Sequence, residues 1–178
     1  RHKFNFANPQ WFSDAMTIIR SATAKDAEAI SKIWNYFICE TTITFNSEKK
    51  STEMVKDAIK SCEQDGRVFL VAEDLERILG FCTYFQFRAG IGYAKTMEHT
   101  ILVIKRAKGL GVGGALMNSL CKHAQKAGVR SLWAGVSADN PSAVGFHERK
   151  GFDYIARLPR VGYKFERWID LILLQKLL

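Results

Sequence analysis

The sequence predicts one mixed α/β domain. Three observations carry that expectation. The chain has 178 residues, its apolar pattern switches repeatedly between periods of about 2 and 3.6 residues, and turn signals rather than linkers separate the segments. A domain holds roughly 150 residues, and a chain of this length encloses a core without metal or disulfide staples. With 47% hydrophobic and 25% charged residues, 13 Gly and 3 Pro, the composition excludes collagen-like, low-complexity and disordered classes.

The elements follow in order. Thr17 to Arg20 reads as a short strand. Thr23, with Asp26 three residues on, is close to a capping box and opens a helix whose Ala27, Ile30, Ile33, Trp34 and Phe37 share one side. A polar loop from Thr41 to Lys50 carries Phe45. Ser51 or Thr52 caps a second helix, with Met54, Val55, Ala58, Ile59 and Cys62 on one face, and Asp65-Gly66 ends it. Val68 to Ala72 and Ile78 to Phe87 form a hairpin around the charged turn Glu73 to Arg77. A strand from Thr96 to Ile104 runs into glycines 109–114, and a helix then extends to Ala127, where Gly128 stops it. Val129 to Val136 is a strand, Asn140 to Arg149 a short helix, and Gly151-Phe152 restarts the sheet. The segment Tyr163 to Leu177 is strand-like. The order β-α-α-β-β-β-α-β-α-β-β belongs to a mixed domain, neither all-β nor a bundle.

Residues 1–15 are aperiodic and lack the apolar core of a signal peptide. They read as a leader or an appended extension, with the domain spanning residues 16–178 and Met16 its natural start. Lys+Arg 26 against Asp+Glu 18 gives a net charge of +8, which points to an anionic partner. Losing Arg1, Lys3 and Asp14 with the leader leaves +7, so the surplus belongs to the domain. Cys39, Cys62, Cys82 and Cys121 are spread without metal-ligand spacing, as expected for buried thiols in a reducing cytoplasm; no metal site is expected. No apolar run reaches the ~18 residues of a membrane span. Lys and Arg are scattered and no reader motif for nucleic acid is present, so neither membrane nor nucleic acid is expected as a partner.

The segment from Ile101 to Gly114 is the most informative. An apolar strand enters a basic, glycine-rich turn that opens an amphipathic helix. Four N–H groups at a helix start lack partners and carry partial positive charge, so they bind phosphate oxygens. Glycine lets that backbone approach a ligand, and Lys105, Arg106 and Lys108 add charge. A tight turn with glycines chosen for geometry alone is the plainer reading. Gly109-x-Gly111-x-x-Gly114 also matches a dinucleotide fingerprint, but the acid expected about 20 residues on fits only loosely as Asp139. A P-loop fails because no Gly-Lys-Ser/Thr follows.

Lys108-x-x-Gly111-x-Gly113 resembles the Arg/Gln-x-x-Gly-x-Gly/Ala pyrophosphate loop of the GNAT-type N-acetyltransferases. Asn140-Pro-Ser-Ala143-Val-Gly-Phe-His147-Glu-Arg-Lys-Gly151-Phe152 resembles that family's second signature, Asn-x-x-Ala-x-x-x-Tyr-x-x-x-Gly-Phe. The likeness runs from Ile18 to Lys176. Thr42-Ile-Thr-Phe45, Phe87-Arg88, Tyr93, Thr96-Met-Glu98 and Gly162-Tyr163-Lys164 through Trp168-x-Asp170 resemble the phosphinothricin and methionine sulfoximine (or sulfone) acetyltransferase branch. That resemblance implies a central, mostly antiparallel, splayed sheet flanked by helices, acetyl-CoA as cosubstrate without a metal, and a homodimer.

By the resemblance, Lys108, Gly109, Leu110, Gly111, Val112 and Gly113 cradle the pyrophosphate through backbone N–H groups, with Gly114 close behind. The backbone of Ile101, Leu102 and Val103 pairs with the pantetheine arm, a role compatible with a plain buried strand. An ammonium has no lone pair, so acetylation needs a base. Glu98, interrupting an apolar strand, is that candidate; its plainer reading is an exposed edge residue. His147 stands where many relatives carry the Tyr that protonates the departing CoA thiolate, and imidazole suits such a task. Asn140 either binds the pantetheine arm or caps its helix. His99 and His123 read as surface or packing residues. Arg88 near Tyr93 would hold acceptor oxygens through its planar fork, and Phe45 and Tyr163 would be walls, or else core aromatics. Gly90 stands where the branch often has a second Arg. Two alternatives stay open: an acetyltransferase acting on a peptide N-terminus, polyamine or aminoglycoside, and a nonenzymatic CoA- or dinucleotide-binding module.

Overall fold

The computed structural model describes residues 17–178; the expectations for residues 1–15 and Met16 lie outside it. Seven strands form one sheet in the order β1-β2-β3-β4-β5-β7-β6: β1 Ile18–Ser21, β2 Phe69–Asp74, β3 Arg77–Gln86, β4 Thr96–Val103, β5 Ser131–Ser137, β6 Asp153–Lys164 and β7 Arg167–Leu177. Helices α1 Ala27–Glu40, α2 Thr52–Gln64, α3 Val112–Lys126 and α4 Pro141–Arg149 complete the fold. Among these strands only β4 and β5 pair in parallel. The mostly antiparallel mixed sheet and the element order match the sequence expectation. None of the described helices is long and apolar enough to cross a membrane.

The central strands are buried on both faces, so their alternate residues feed two cores. Phe69, Val71, Phe81 and Leu102 meet Ile30, Ile33 and Phe37 of α1 and Val55, Ile59 and Cys62 of α2. Leu70, Ala72, Cys82, Tyr84 and Met97 turn the other way, against Leu116, Met117 and Leu120 of α3. Each such side chain contributes about 1.5 to 3 kcal/mol by leaving water. Local signals set the helix starts. Ser51 Oγ accepts from Met54 N–H at 3.2 Å, and the Asp26 carboxylate accepts from Thr23 N–H at 2.7 Å while Arg20 grips it with both terminal nitrogens.

The strand before the C-terminal hairpin is longer than its sequence pattern implies. Pro159 lies inside β6, and the β6–β7 register shifts between Leu158 and Gly162. Proline is tolerated there because β6 is an edge strand. Asp170 secures the bulge, accepting from Arg160 N–H at 2.9 Å and Arg157 Nε at 2.8 Å. Past the bulge, Gly162 lies beneath the ring of Phe45, where a Cβ would clash with three ring carbons.

Candidate active site

β4 and β5 run together for three residue pairs, from Thr96 with Ser131 to Glu98 with Trp133. Beyond them the strands part. β4 stays paired with β3 as far as Val103, and β5 with β7 as far as Ser137. The fork opens into a cleft of about 930 Å³, within the range of small-molecule sites.

Strand alternation divides the residues around this fork. Glu98 sits opposite Phe85 and shares its face with Thr100 and Leu102, towards α1 and α2; His99 sits opposite Tyr84 and faces α3 and α4. On the α1–α2 face the cleft is lined by Trp34, Phe37, Ile43, Phe45, Lys50, Phe85 and Leu171 around the Glu98 carboxyl. Burial alone raises the Glu98 pKa above the ordinary carboxylate value. Room for that carboxyl comes from Gly135 on β5, since a Cβ there would lie 2.8 Å from Glu98 Oε1.

The 41–50 loop forms the roof of this face. Thr42 Oγ1 donates to Asp139 at 2.8 Å, Arg167 pairs with the same carboxylate, and the buried Lys164 ammonium donates to Thr44 O at 2.7 Å. At the far end, Lys50 is held through its backbone: its N–H donates to Asn35 Oδ1 at 2.8 Å and its carbonyl accepts from Ser31 Oγ at 2.8 Å. The Lys50 ammonium lies 4.6 Å from the Trp34 ring centre, a cation–π distance.

The other side of the fork is built by α3 and α4. Gly109 and Gly111 have φ of 79° and 82°, a left-handed conformation that costs other residues about 1 to 3 kcal/mol. Gly111 is the N-cap of α3, so the first N–H groups of that helix open toward the cleft wall. Lys108, Gly109, Gly111, Gly113 and Gly114 line the cleft, whereas Val112 is buried in the core and Leu110 packs against it. Those two have only backbone to offer. Arg149 and Lys150 also line the cleft, giving an anionic cosubstrate two further cations. Asn140 lines the cleft too. Its side chain makes no capping bond to α4 and instead accepts from Ser142 Oγ at 3.0 Å.

His147 is buried on α4, its Nδ1 2.7 Å from Ala143 O and its Nε2 3.1 Å from His99 Nε2. His99 is thus not a surface residue: it packs between His147 and Phe152 and borders the cleft. His123 keeps a packing role against the Tyr84 hydroxyl, at 3.0 Å.

Three predicted acceptor residues lie off the cleft wall. Arg88 is exposed, its guanidinium 5.7 Å from the Phe87 ring. That ring stacks on Trp133, the β5 partner of Glu98, at 5.2 Å. Tyr93 is exposed in the loop after β3. Tyr163 alternates away from Gly162 and Lys164 and meets Trp168, rings 5.1 Å apart. Sequence reasoning missed Gly135, Lys50, Lys164 and His99. Only Lys164 carried a signal, as part of the Gly162-Tyr163-Lys164 run.

The dinucleotide reading does not survive this geometry. It needs a run of parallel strands, and Asp139, its only candidate acid, is engaged by Thr42 and Arg167. Among the described residues no three His, Cys, Asp or Glu side chains are grouped to hold a metal.

Comparison with known proteins agrees with the fork. The family model described as an acetyltransferase (GNAT) domain matches residues 19–173. The L-methionine sulfoximine/L-methionine sulfone acetyltransferase of Salmonella typhimurium is 29% identical over 157 residues, covering 88% of this chain and 92% of that one. The phosphinothricin N-acetyltransferase of Streptomyces coelicolor is 32% identical over 155 residues, covering 85% and 91%. Among solved structures, the ribosomal-protein-alanine N-acetyltransferase of Brucella melitensis superposes with a TM-score of 0.88 at 32% identity, covering 90% of this chain and 99% of that one. The chain belongs to the GNAT acetyltransferase family, and its chemistry is the transfer of acetyl from acetyl-CoA to an amine nitrogen.

Proposed function

We propose that the acceptor is a small amino-acid-like amine of the methionine sulfoximine, methionine sulfone or phosphinothricin kind. The observation that carries this reading is the half-buried Glu98 at the fork, facing an aromatic cavity roofed by the 41–50 loop. The names of the Salmonella and Streptomyces relatives support it.

On this reading the acetyl-CoA pyrophosphate lies on the N–H groups from Lys108 to Gly114, where the left-handed glycines keep the backbone uncovered. The pantetheine arm runs along the open edge of Ile101 to Val103, with Asn140 beside it. A backbone N–H of that edge meets the carbonyl oxygen as it gains charge. Glu98 takes a proton from the acceptor ammonium, and the free amine attacks the thioester directly. A carboxylate whose pKa is raised is a stronger base than an ordinary one. The pair of His147 and His99 on the other face supplies the proton that the departing thiolate needs. Phe45 packs against the acceptor, Lys50 offers a cation to an acidic group inside the cleft, and Arg88, exposed off the cleft wall, offers another outside it.

The exposed aromatic residues of the β6–β7 hairpin, with Tyr163, Phe165 and Trp168 each 56% exposed, form the surface for pairing with a second copy in the cytoplasm. The role of the enzyme is detoxification of such amino-acid analogues.

The test is acetyl-CoA turnover, read as free thiol, against methionine sulfoximine, methionine sulfone, phosphinothricin, standard amino acids, a polyamine, an aminoglycoside and an alanine-started peptide. The highest kcat/KM is expected on an amino-acid analogue. Turnover of the peptide alone would overturn the acceptor assignment in favour of the second reading, an N-terminal alanine, which the name of the Brucella neighbour favours.

A further inference from the structure

Gly162 is not required by backbone conformation. Its φ lies outside the left-handed range that Gly109 and Gly111 occupy, so a larger residue could adopt the same backbone. A glycine inside a strand weakens it and often marks the close approach of another group. Here that group is the Phe45 ring, three carbons of which an added Cβ would strike. Gly162 is buried and does not line the cleft, whereas Phe45 is half-buried and does. The ring is therefore the layer between β6 and the cavity, seated directly on the strand.

The backbone that carries Phe45 is tied down on both sides. Before it, Thr44 O accepts from the buried Lys164 ammonium at 2.7 Å, and Thr42 Oγ1 donates to Asp139 at 2.8 Å. After it, Asn46 N–H donates to Thr44 Oγ1 at 3.3 Å, and the Lys50 backbone is bonded to Asn35 and Ser31. Gly162 and Lys164 share one face of β6 by alternation, so the same strand seats the ring and clips the loop that bears it. A side chain at position 162 would thus be absorbed by the ring rather than by the loop. Carbon atoms in contact sit about 3.5 to 4.0 Å apart, so the ring would have to shift by about 1 Å or more. Its open side is the cleft.

We propose that Gly162 is a specificity-determining position: by letting the Phe45 ring settle onto β6, it sets the length of acceptor side chain that the cleft admits. This rests on the amino-acid reading of the acceptor and adds a size limit to it. Gly135 does the same for the Glu98 carboxyl, so β5 and β6 each leave out one side chain where a group of the acceptor site needs the space. The two glycines differ in what they protect. Gly135 makes room for a charged group, whereas Gly162 makes room for a wall that has no proton to exchange. Gly162 pairs with Ile169 of β7, and β5 and β7 separate its strand from β4. Its influence therefore falls on the fit of the acceptor and not on the donor loop. A hydrophobic pocket tells apart side chains that differ by one methylene by about 10- to 200-fold, and a ring displaced into the cleft acts on that scale.

A homologous series of acceptors tests this: S-methylcysteine sulfone, methionine sulfone and ethionine sulfone lengthen by one methylene at each step. Gly162→Ala should lower the kcat/KM ratio of methionine sulfone to S-methylcysteine sulfone by about tenfold, with the calorimetric Kd for acetyl-CoA held within about twofold. Adding Phe45→Leu to Gly162→Ala removes the ring that the new methyl strikes and should return most of the lost ratio. Phe45→Leu alone should move preference the other way, towards ethionine sulfone, by about tenfold; this arm does not depend on Gly162→Ala folding. A crystal structure of Gly162→Ala should show the Phe45 ring turned into the cleft. Equal losses on the two shorter sulfones, a double variant no better than the single one, or a ring left in place would each overturn the proposal. A Phe45→Leu enzyme with an unchanged order of preference would overturn it as well. Turnover of none of the sulfones by the unaltered enzyme would instead strike the acceptor reading, and the ring position in Gly162→Ala would still decide whether Gly162 sets the wall.

Discussion

On the α3–α4 face of the fork, the groups offered to a ligand are mainly backbone N–H groups of one loop and a buried ring pair. On the α1–α2 face they are side chains brought together from separate segments: Trp34 and Lys50 beside α1, Phe45 on its loop, Phe85 on β3, Glu98 on β4 and Leu171 on β7. Neighbours in sequence, Glu98 and His99 point to opposite sides because a strand alternates. One side is therefore specified by local chain conformation and the other by register across the sheet. Substitutions should separate them, with donor binding failing on one side and chemistry or acceptor choice on the other.

The largest effect is expected from Glu98→Gln, which should lower kcat by about 100-fold or more while the calorimetric Kd for acetyl-CoA holds. On the proposed mechanism Glu98 acts ionised, and burial raises its pKa. Activity of the unaltered enzyme should therefore fall as the pH drops through a value above the usual carboxylate range, and the kcat/KM profile of Glu98→Gln should lack that limb. Gly111→Val comes next. Its φ of 82° strains any side chain although nothing lies within 4 Å of the new Cβ, so acetyl-CoA affinity should weaken by about tenfold or more.

Gly135→Ala sharpens the contrast from the acceptor side. The added methyl would displace a carboxylate oxygen 2.8 Å away, and a drop in kcat of about tenfold is expected, with donor affinity kept. The smallest effects belong to Lys50→Met and Arg88→Met. Each should lower selectivity for an acidic acceptor over its decarboxylated amine by several-fold, as expected for a partly exposed charge, read as a ratio of kcat/KM values. If Arg88→Met moves that ratio and Lys50→Met does not, the acidic group is held outside the cleft.

The donor side was legible because its information is contiguous. Strand, basic turn, left-handed glycines and helix start occupy Ile101 to Gly114 in one stretch, and the Asn140 to Phe152 run is a second such stretch. Glu98 was legible as a charge interrupting an apolar strand. Gly135 was not, because its reason lies in a carboxylate 37 positions earlier that only the β4–β5 register brings near. His99 was passed over for a similar cause. Nothing local distinguishes it, and its partner comes from a helix 48 residues away. Tyr163 was expected as a wall on the family resemblance, but alternation along β6 sends it to the opposite side from Gly162 and Lys164. Pro159 disguised the strand itself, which the fold accommodates only because β6 lies at the edge.

The fork has one more consequence, for the lifetime of the protein. Past Glu98, β4 and β5 each keep one row of backbone groups unpaired with the other, so the empty molecule carries an open seam in the middle of its sheet. Such rows are where foreign strands add and aggregation starts. A cosubstrate laid in the seam, as proposed, would act as a missing strand. At one hundred times its dissociation constant it would stabilise the fold by about 2.7 kcal/mol, several degrees in Tm for a domain of this size.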